Sequence, residues 1–152
     1  MNQFELACAF FSAAAYVEKR SAVNQLTINP AVATRLSGSL GYRVNAASGF
    51  EASAFEYQGK IIISYAGTRL SDSEGSIDFL KDSWPDLSTD LILGLGRTES
   101  QLEQAAAFYA DVKKATDRPA DIVFTGHSLG GGLAALMAVY FDTQRGQALP
   151  LA

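Results

Sequence analysis

The sequence predicts an α/β fold, with a single domain over residues 1–152 in which helices flank a central sheet. Three observations support this prediction. Apolar residues recur at helical spacing near the N-terminus and again from residue 99 onward. Three consecutive isoleucines at 61–63 indicate a strand that is buried on both faces, as in the middle of an α/β sheet. A short apolar strand at 121–125 then leads through a glycine-rich turn into an apolar helix.

The composition excludes several classes of protein. A chain of 152 residues, 48% of them hydrophobic, can bury a core without a disulfide or a structural metal. Its single cysteine excludes a disulfide framework and a cysteine-based zinc cluster. The net charge of −4 and the absence of clustered basic residues argue against a nucleic-acid partner.

No targeting or membrane-spanning segment is expected. The longest apolar stretches, 6–17 and 133–141, are shorter than the ~20 residues that cross a bilayer. Glu5 lies where the positive region of a signal peptide belongs, and no Lys or Arg precedes it. The compartment stays open between the cytoplasm and export by a signal-independent route.

The N-terminal half is predicted to hold one helix followed by strands. Residues 4–18 place these apolar side chains on one helical face: Phe4, Ala7, Phe11, Ala14 and Ala15. Residues 21–41 are rich in Asn, Ser and Gly and predict a loop with a short helix from Pro30. Alternation at 42–44 and 51–57, followed by a turn at Gly59 and the apolar run 61–66, predicts three strands.

The C-terminal half is predicted to hold a long connector, two helices and a strand. The connector, 67–90, has the length of an active-site lid, and its large apolar residues are Ile77, Phe79, Leu80 and Trp84. These residues suit contact with a lipid chain or membrane, or simply pin the loop to the core. Helices are expected at 99–116 and 133–142, the first with an apolar face of Leu102, Ala106, Tyr109, Ala110 and Val112 or Lys113.

The motif that carries chemistry is Gly126-His127-Ser128-Leu129-Gly130, set between a predicted strand and a predicted helix. In that setting a serine lies on a turn so tight that only glycine fits beside it. The turn presents the hydroxyl at the N-terminus of a helix, where free amides favour a negatively charged oxygen. Gly131, Gly132 and Ala134 are small enough to pack the turn.

The glycines at 126–132 are also compared with two nucleotide-binding motifs and a plain turn. A dinucleotide-binding turn needs its first glycine directly after the strand, whereas Gly130 lies at the helix start. A Walker-type loop needs Lys and Ser or Thr after its last glycine, where Leu133 and Ala134 stand instead. A plain glycine turn that permits close packing stays open.

The segment 122–134 resembles the nucleophile elbow of the class 3 lipases, a family of α/β-hydrolases. Residues 64–68 are similar to the family's strand end that feeds the oxyanion hole, and 86–91 are similar to its D-W-x-T-D-L element, with Leu87 in place of Trp. The resemblance implies that Ser128 is the acylated nucleophile. It also implies an oxyanion hole formed by the amide of Leu129 and by the amide and hydroxyl of Thr68.

The rest of a catalytic triad is missing from the chain. A serine nucleophile needs a histidine base and a carboxylate, which follow the serine in α/β-hydrolases. No histidine follows Ser128, and His127 is its immediate neighbour, so a structural role is favoured for His127. Asp142 would lie roughly 21 Å from Ser128 along a continuous helix. Either the chain is the first part of a longer hydrolase, which its apolar end at 148–152 favours, or it keeps the fold without the reaction.

The expected function is that of a serine carboxylester hydrolase of lipase or phospholipase type, with the triad Asp and His downstream of this chain. Its partners would be an ester or lipid substrate and, transiently, a lipid interface, and no metal or organic cofactor is needed. The alternative is a catalytically inactive hydrolase-fold module that binds lipid or protein.

Overall fold

A computed structural model describes residues 3–15, 25–28, 30–45, 47–67, 98–116 and 122–144. Four helices and six strands lie in these ranges, and they are numbered here in chain order. The elements are α1 (Gln3–Ala14), β1 (Gln25–Ile28), β2 (Ala31–Arg35), α2 (Gly38–Gly41), β3 (Tyr42–Asn45), β4 (Phe50–Tyr57), β5 (Lys60–Tyr65), α3 (Thr98–Thr116), β6 (Ile122–Gly126) and α4 (Leu129–Gln144). The protein is therefore a mixed α/β fold, as the sequence predicts.

All six strands form one sheet in the order β1-β2-β4-β5-β6, and β3 also pairs with β4. The neighbours from β1 to β5 are antiparallel, whereas β5 and β6 are parallel. In the parallel pair Tyr65 lies opposite Gly126, so both strands end at the same edge. This edge carries the turn with Ser128.

The prediction of a loop over 21–41 is wrong for 25–28 and 31–35. Residues 25–28 and 31–35 form an antiparallel hairpin, with Ile28 opposite Ala31. The short helix begins at Gly38 rather than at Pro30. In β2, Val32 and Thr34 alternate with small residues, but the surrounding Asn, Ser and Gly favour a loop. Pairing with β4 makes this segment a strand.

The hairpin of β4 and β5 confirms the predicted turn and the buried strand. Gln58 and Gly59 have φ angles of 49° and 74°, which is the geometry of a two-residue hairpin turn with both central residues left-handed. Ile61 and Ile63 pack on one face of the sheet, and Ile62 packs on the other. Each is at most 1% exposed, so the strand is buried on both faces.

Helices cover the two faces of the sheet. On one face, α1 buries Ala7 and Phe11 against Phe55, Tyr57 and Ile62. The other face packs against α3 and α4, whose buried residues include Ala105, Phe108, Val112, Leu133 and Met137. Each layer thus has its own apolar core, and the sheet lies between them.

Three details of the helices and of β6 differ from expectation. The first helix ends at Ala14, and residues 16–20 lie outside the described part of the chain. In α3, Tyr109 and Val112 are buried as expected, Val112 being the correct one of the two alternatives, whereas Ala110 is exposed. The buried face also includes Ala105 and Phe108. Residues 122–126 are only partly buried, although a buried strand was expected.

Among the described helices, none is both long and apolar enough to cross a membrane.

Candidate active site

Ser128 lies on the turn that joins β6 to α4. Strand β6 ends at Gly126 and helix α4 begins at Leu129, so the chain reverses within two residues. Ser128 has a φ angle of 57°, a left-handed conformation that serine rarely adopts. The residue is exposed, as is His127. A strained, exposed serine between a strand and a helix is the geometry expected of a nucleophile elbow.

Two glycines make this turn possible. A Cβ built on Gly126 would overlap the carbonyl group of Gly130 and would lie 2.8 Å from the amide nitrogen of Gly131. A Cβ on Gly130 would overlap the backbone oxygen of Tyr65 and would lie 2.8 Å from the carbonyl carbon of Ala66. The first contact closes the turn on itself, and the second seats it on the end of β5.

Gly132 does not pack the turn, contrary to expectation. A Cβ built there would meet nothing within 4 Å, whereas one on Gly131 would lie 3.2 Å from the oxygen of Gly126. The close packing is therefore confined to the first two residues after Leu129. Beyond them, the helix is free to carry a larger side chain.

The backbone hydrogen bonds of the turn leave the amide of Leu129 available. The amide of Gly130 donates to the oxygen of His127 at 3.0 Å, and that of Gly131 donates to the oxygen of Ser128 at 2.9 Å. The amide of Leu129, the first residue of α4, has no acceptor among the described residues. Such a first-turn amide can donate to an anion beside Ser128.

The end of β5 lies against Gly130, the residue after Leu129. Ala66 and Gly67 are buried, and the amide of Ala66 donates to the oxygen of Glu51 at 2.9 Å. Thr68, the other residue expected in the oxyanion hole, follows Gly67 but lies outside the described residues. The same applies to the segment 86–91 and to the apolar residues of the predicted lid, Ile77, Phe79, Leu80 and Trp84.

His127 and Asp142, the two groups considered as triad partners, have the positions relative to Ser128 that the sequence predicts. His127 directly precedes Ser128, and its backbone oxygen is used by the amide of Gly130. Helix α4 is continuous through Asp142, so that residue lies about 21 Å along the axis from Ser128 at 1.5 Å per residue. Asp142 is therefore too distant to support a base at Ser128.

A buried carboxylate at the same edge was missed by sequence reasoning. Glu51 is the second residue of β4, lies beside the end of β5 and is 4% exposed. The hydroxyl of Tyr42 donates to its Oε1 at 3.1 Å. Burial, the charge of Glu51 and this hydrogen bond raise the pKa of Tyr42 to about 12. No sequence motif marks Glu51, because only strand pairing brings it to this edge.

Comparison with protein families finds a match over most of the chain. The model of the Tle-like phospholipase domain, a phospholipase-like family, matches residues 7–146. The chain belongs to this family. Membership indicates a lipase- or phospholipase-type hydrolase, and it does not single out the class 3 lipases that the elbow resembles. No curated protein and no solved structure matches this chain.

Proposed function

We propose that the chain carries the nucleophile of a serine carboxylester hydrolase that acts on phospholipid esters. The observation that carries the proposal is the left-handed φ angle of the exposed Ser128, between β6 and α4. A strained backbone at a non-glycine residue persists only where the surrounding structure imposes it, and such residues cluster at functional sites. Family membership supplies the substrate class, and the class 3 lipase likeness of 122–134 supplies the finer mechanism.

The reaction would proceed in two steps. The hydroxyl oxygen of Ser128 attacks the ester carbonyl carbon while a base takes its proton, and the carbonyl oxygen becomes an oxyanion. The amide of Leu129, with the amide and hydroxyl of Thr68, donates hydrogen bonds to that oxyanion. Collapse expels the alcohol, which takes up the proton, and leaves the acyl group on Ser128. Water then attacks the acyl carbon while the same base takes its proton. The bond between that carbon and the Oγ of Ser128 breaks, the proton passes to Oγ, and the fatty acid is released.

The base and its carboxylate are proposed to come from beyond these 152 residues. No histidine follows Ser128, and neither His127 nor Asp142 has the position that a triad partner requires. The apolar residues Ile77, Phe79, Leu80 and Trp84 are proposed to contact the acyl chain or the lipid surface. A catalytically inactive binding module has no observation in its favour, since the family matched is a phospholipase domain.

Two proteins test the proposal, both assayed with phospholipid vesicles and with a p-nitrophenyl ester. The first is the 152-residue chain, which is expected to be no faster than its Ser128→Ala variant. The second is the protein encoded by the full coding region, with any residues that follow Ala152. It is expected to release fatty acid and to lose on the order of 10⁶ in turnover with Ser128→Ala.

Each outcome decides a different part of the proposal. Fatty-acid release that survives Ser128→Ala in the extended protein would refute Ser128 as the nucleophile. Ser128-dependent turnover by the 152-residue chain would refute an external base. No turnover by an extended protein that contains a downstream Asp and His would favour the binding module.

A further inference from the structure

A pair of hydroxyl groups ties the end of β6 to helix α1. The Oγ of Ser12 donates to the backbone oxygen of Cys8 at 2.9 Å and lies 2.9 Å from the Oγ1 of Thr125. Either hydroxyl can be the donor of the bond between Ser12 and Thr125. The backbone oxygen of Cys8 also lies within hydrogen-bond distance of the Oγ1 of Thr125, at 3.3 Å. The contact joins residues 113 positions apart in the sequence.

The strand that carries this contact is the last one of the described sheet. Within the described part of the chain, β6 pairs on one edge only. The ladder with β5 sets its register, with Ser64 opposite Thr125. Apolar packing holds its two faces, with Val123 against the α1 layer and Phe124 against the layer of α3 and α4. The bond of Thr125 adds a directional contact to α1 at the end of the strand.

The next residue makes the corresponding contact on the opposite face. Successive residues of a strand point to opposite sides, so Gly126 faces α4 where Thr125 faces α1. Gly126 lies in close contact with Gly130 and Gly131, the first turn of α4. The end of β6 is therefore held between the two helices, and Ser128 follows two residues later.

We propose that Thr125 and Ser12 are positioning residues for Ser128, acting through the backbone of residues 125–128. This inference rests on the proposed nucleophilic role of Ser128. A valine in place of Thr125 would fill the same volume, but it would lack the directional bond that fixes the distance to α1. Displacement of a reacting group by 1 Å can cost about 10²-fold in rate, so a small shift of the strand end would matter.

A cysteine placed at the elbow tests the inference without any need for the triad. Ser128→Cys is made together with Cys8→Ala, which keeps the backbone oxygen of Cys8 and removes the natural thiol. The pH dependence of alkylation by iodoacetamide then measures the pKa of the introduced thiol. At a helix N-terminus that pKa is expected to fall below about 7.5, against about 8.5 for a free cysteine.

Four further substitutions in that background separate positioning from stability. Thr125→Val and Ser12→Ala are each expected to raise the pKa of the introduced thiol toward its free value and to slow alkylation at pH 7 several-fold. Thr125→Ser, which keeps the donor, is expected to restore both. Ser64→Ala is the matched control, because the Oγ of Ser64 donates to the backbone oxygen of Phe11 at 2.8 Å from the neighbouring strand. It should lower the unfolding free energy without moving the thiol pKa.

The outcomes distinguish failure of this inference from failure of the proposed function. If Thr125→Val lowers stability as Ser64→Ala does but leaves the thiol pKa and alkylation rate unchanged, the positioning role is refuted. If the introduced thiol has an ordinary pKa before any further change, the turn supplies no anion-stabilising amides. That second result would overturn the proposed role of Leu129 and Ser128.

Discussion

The α-carbon of Gly130 lies directly against the backbone oxygen of Tyr65, so the first turn of α4 rests on the end of β5. This contact brings the amide of Leu129 to the edge where β5 ends and where the chain continues toward Thr68. Two segments that are 65 residues apart in sequence thereby meet at one point. A larger residue at position 130 would separate them.

Gly130→Ala is expected to lower the free energy of unfolding by about 1–3 kcal/mol, because its Cβ would overlap backbone atoms that cannot rotate away. Gly132→Ala is the matched control. A Cβ there meets nothing within 4 Å, and alanine in a helix interior is about 0.5–1 kcal/mol better than glycine. Urea denaturation of both variants checks the prediction, and equal effects of the two substitutions would contradict it.

Ser128→Gly is expected to be more stable than Ser128→Ala by about 1 kcal/mol, because only glycine adopts a φ angle of 57° without strain. Thermal and urea unfolding of the two variants measure the difference. Gln58, with a φ angle of 49° in the β4–β5 turn, provides a control away from the site. Its Gly and Ala variants should rank in the same order, and reversal at position 128 alone would show that the elbow is not left-handed.

The stability of the protein is expected to fall between pH 10 and 12, in part through Tyr42. Its pKa is raised from 10.0 to about 12, first by burial and then by the charge of Glu51. The fold thus favours the neutral phenol, and this contribution is complete below pH 10 and is lost as the pH rises through 12. Burial, with a contribution from Tyr109, also raises the pKa of Tyr65, which adds to the loss.

Tyr42→Phe should flatten the decline without abolishing it. The variant lacks the titrating phenol at position 42 but keeps Tyr65, so part of the slope remains. Near pH 7 it should be less stable by about 1 kcal/mol, since the hydrogen bond to Glu51 is lost. Urea denaturation at a series of pH values gives both quantities. An unchanged slope between pH 10 and 12 would show that Tyr42 is not shifted.

Features that depend on local geometry were predictable from the sequence. The turn at Gln58 and Gly59, the three buried isoleucines and the strand-to-helix turn around Ser128 each follow from residues close together in the chain. The face of α3 did not follow in the same way. Its apolar residues allow two overlapping stripes, and contact with the sheet and α4 selects the one containing Phe108.

The hairpin of β1 and β2 also required tertiary structure. Asn, Ser and Gly around these short strands favour a loop, and pairing of Thr34 and Arg35 with β4 overrides that preference. Glu51 and Thr125 belong to the same class of feature. Their neighbours come from other strands and from α1, and no spacing in the sequence reveals those contacts.

The sequence by itself determined that a serine would stand between a strand and a helix, because glycine at positions 126 and 130 is what such a turn requires. Only the tertiary structure decided which distant residues meet at this end of the sheet: Tyr65 against Gly130, Glu51 beside the end of β5, and Ser12 in contact with Thr125. The physical reason is the distance along the sequence over which each kind of interaction acts. Backbone sterics act over a few residues, whereas the positions of strand ends depend on packing between segments that are far apart in the chain.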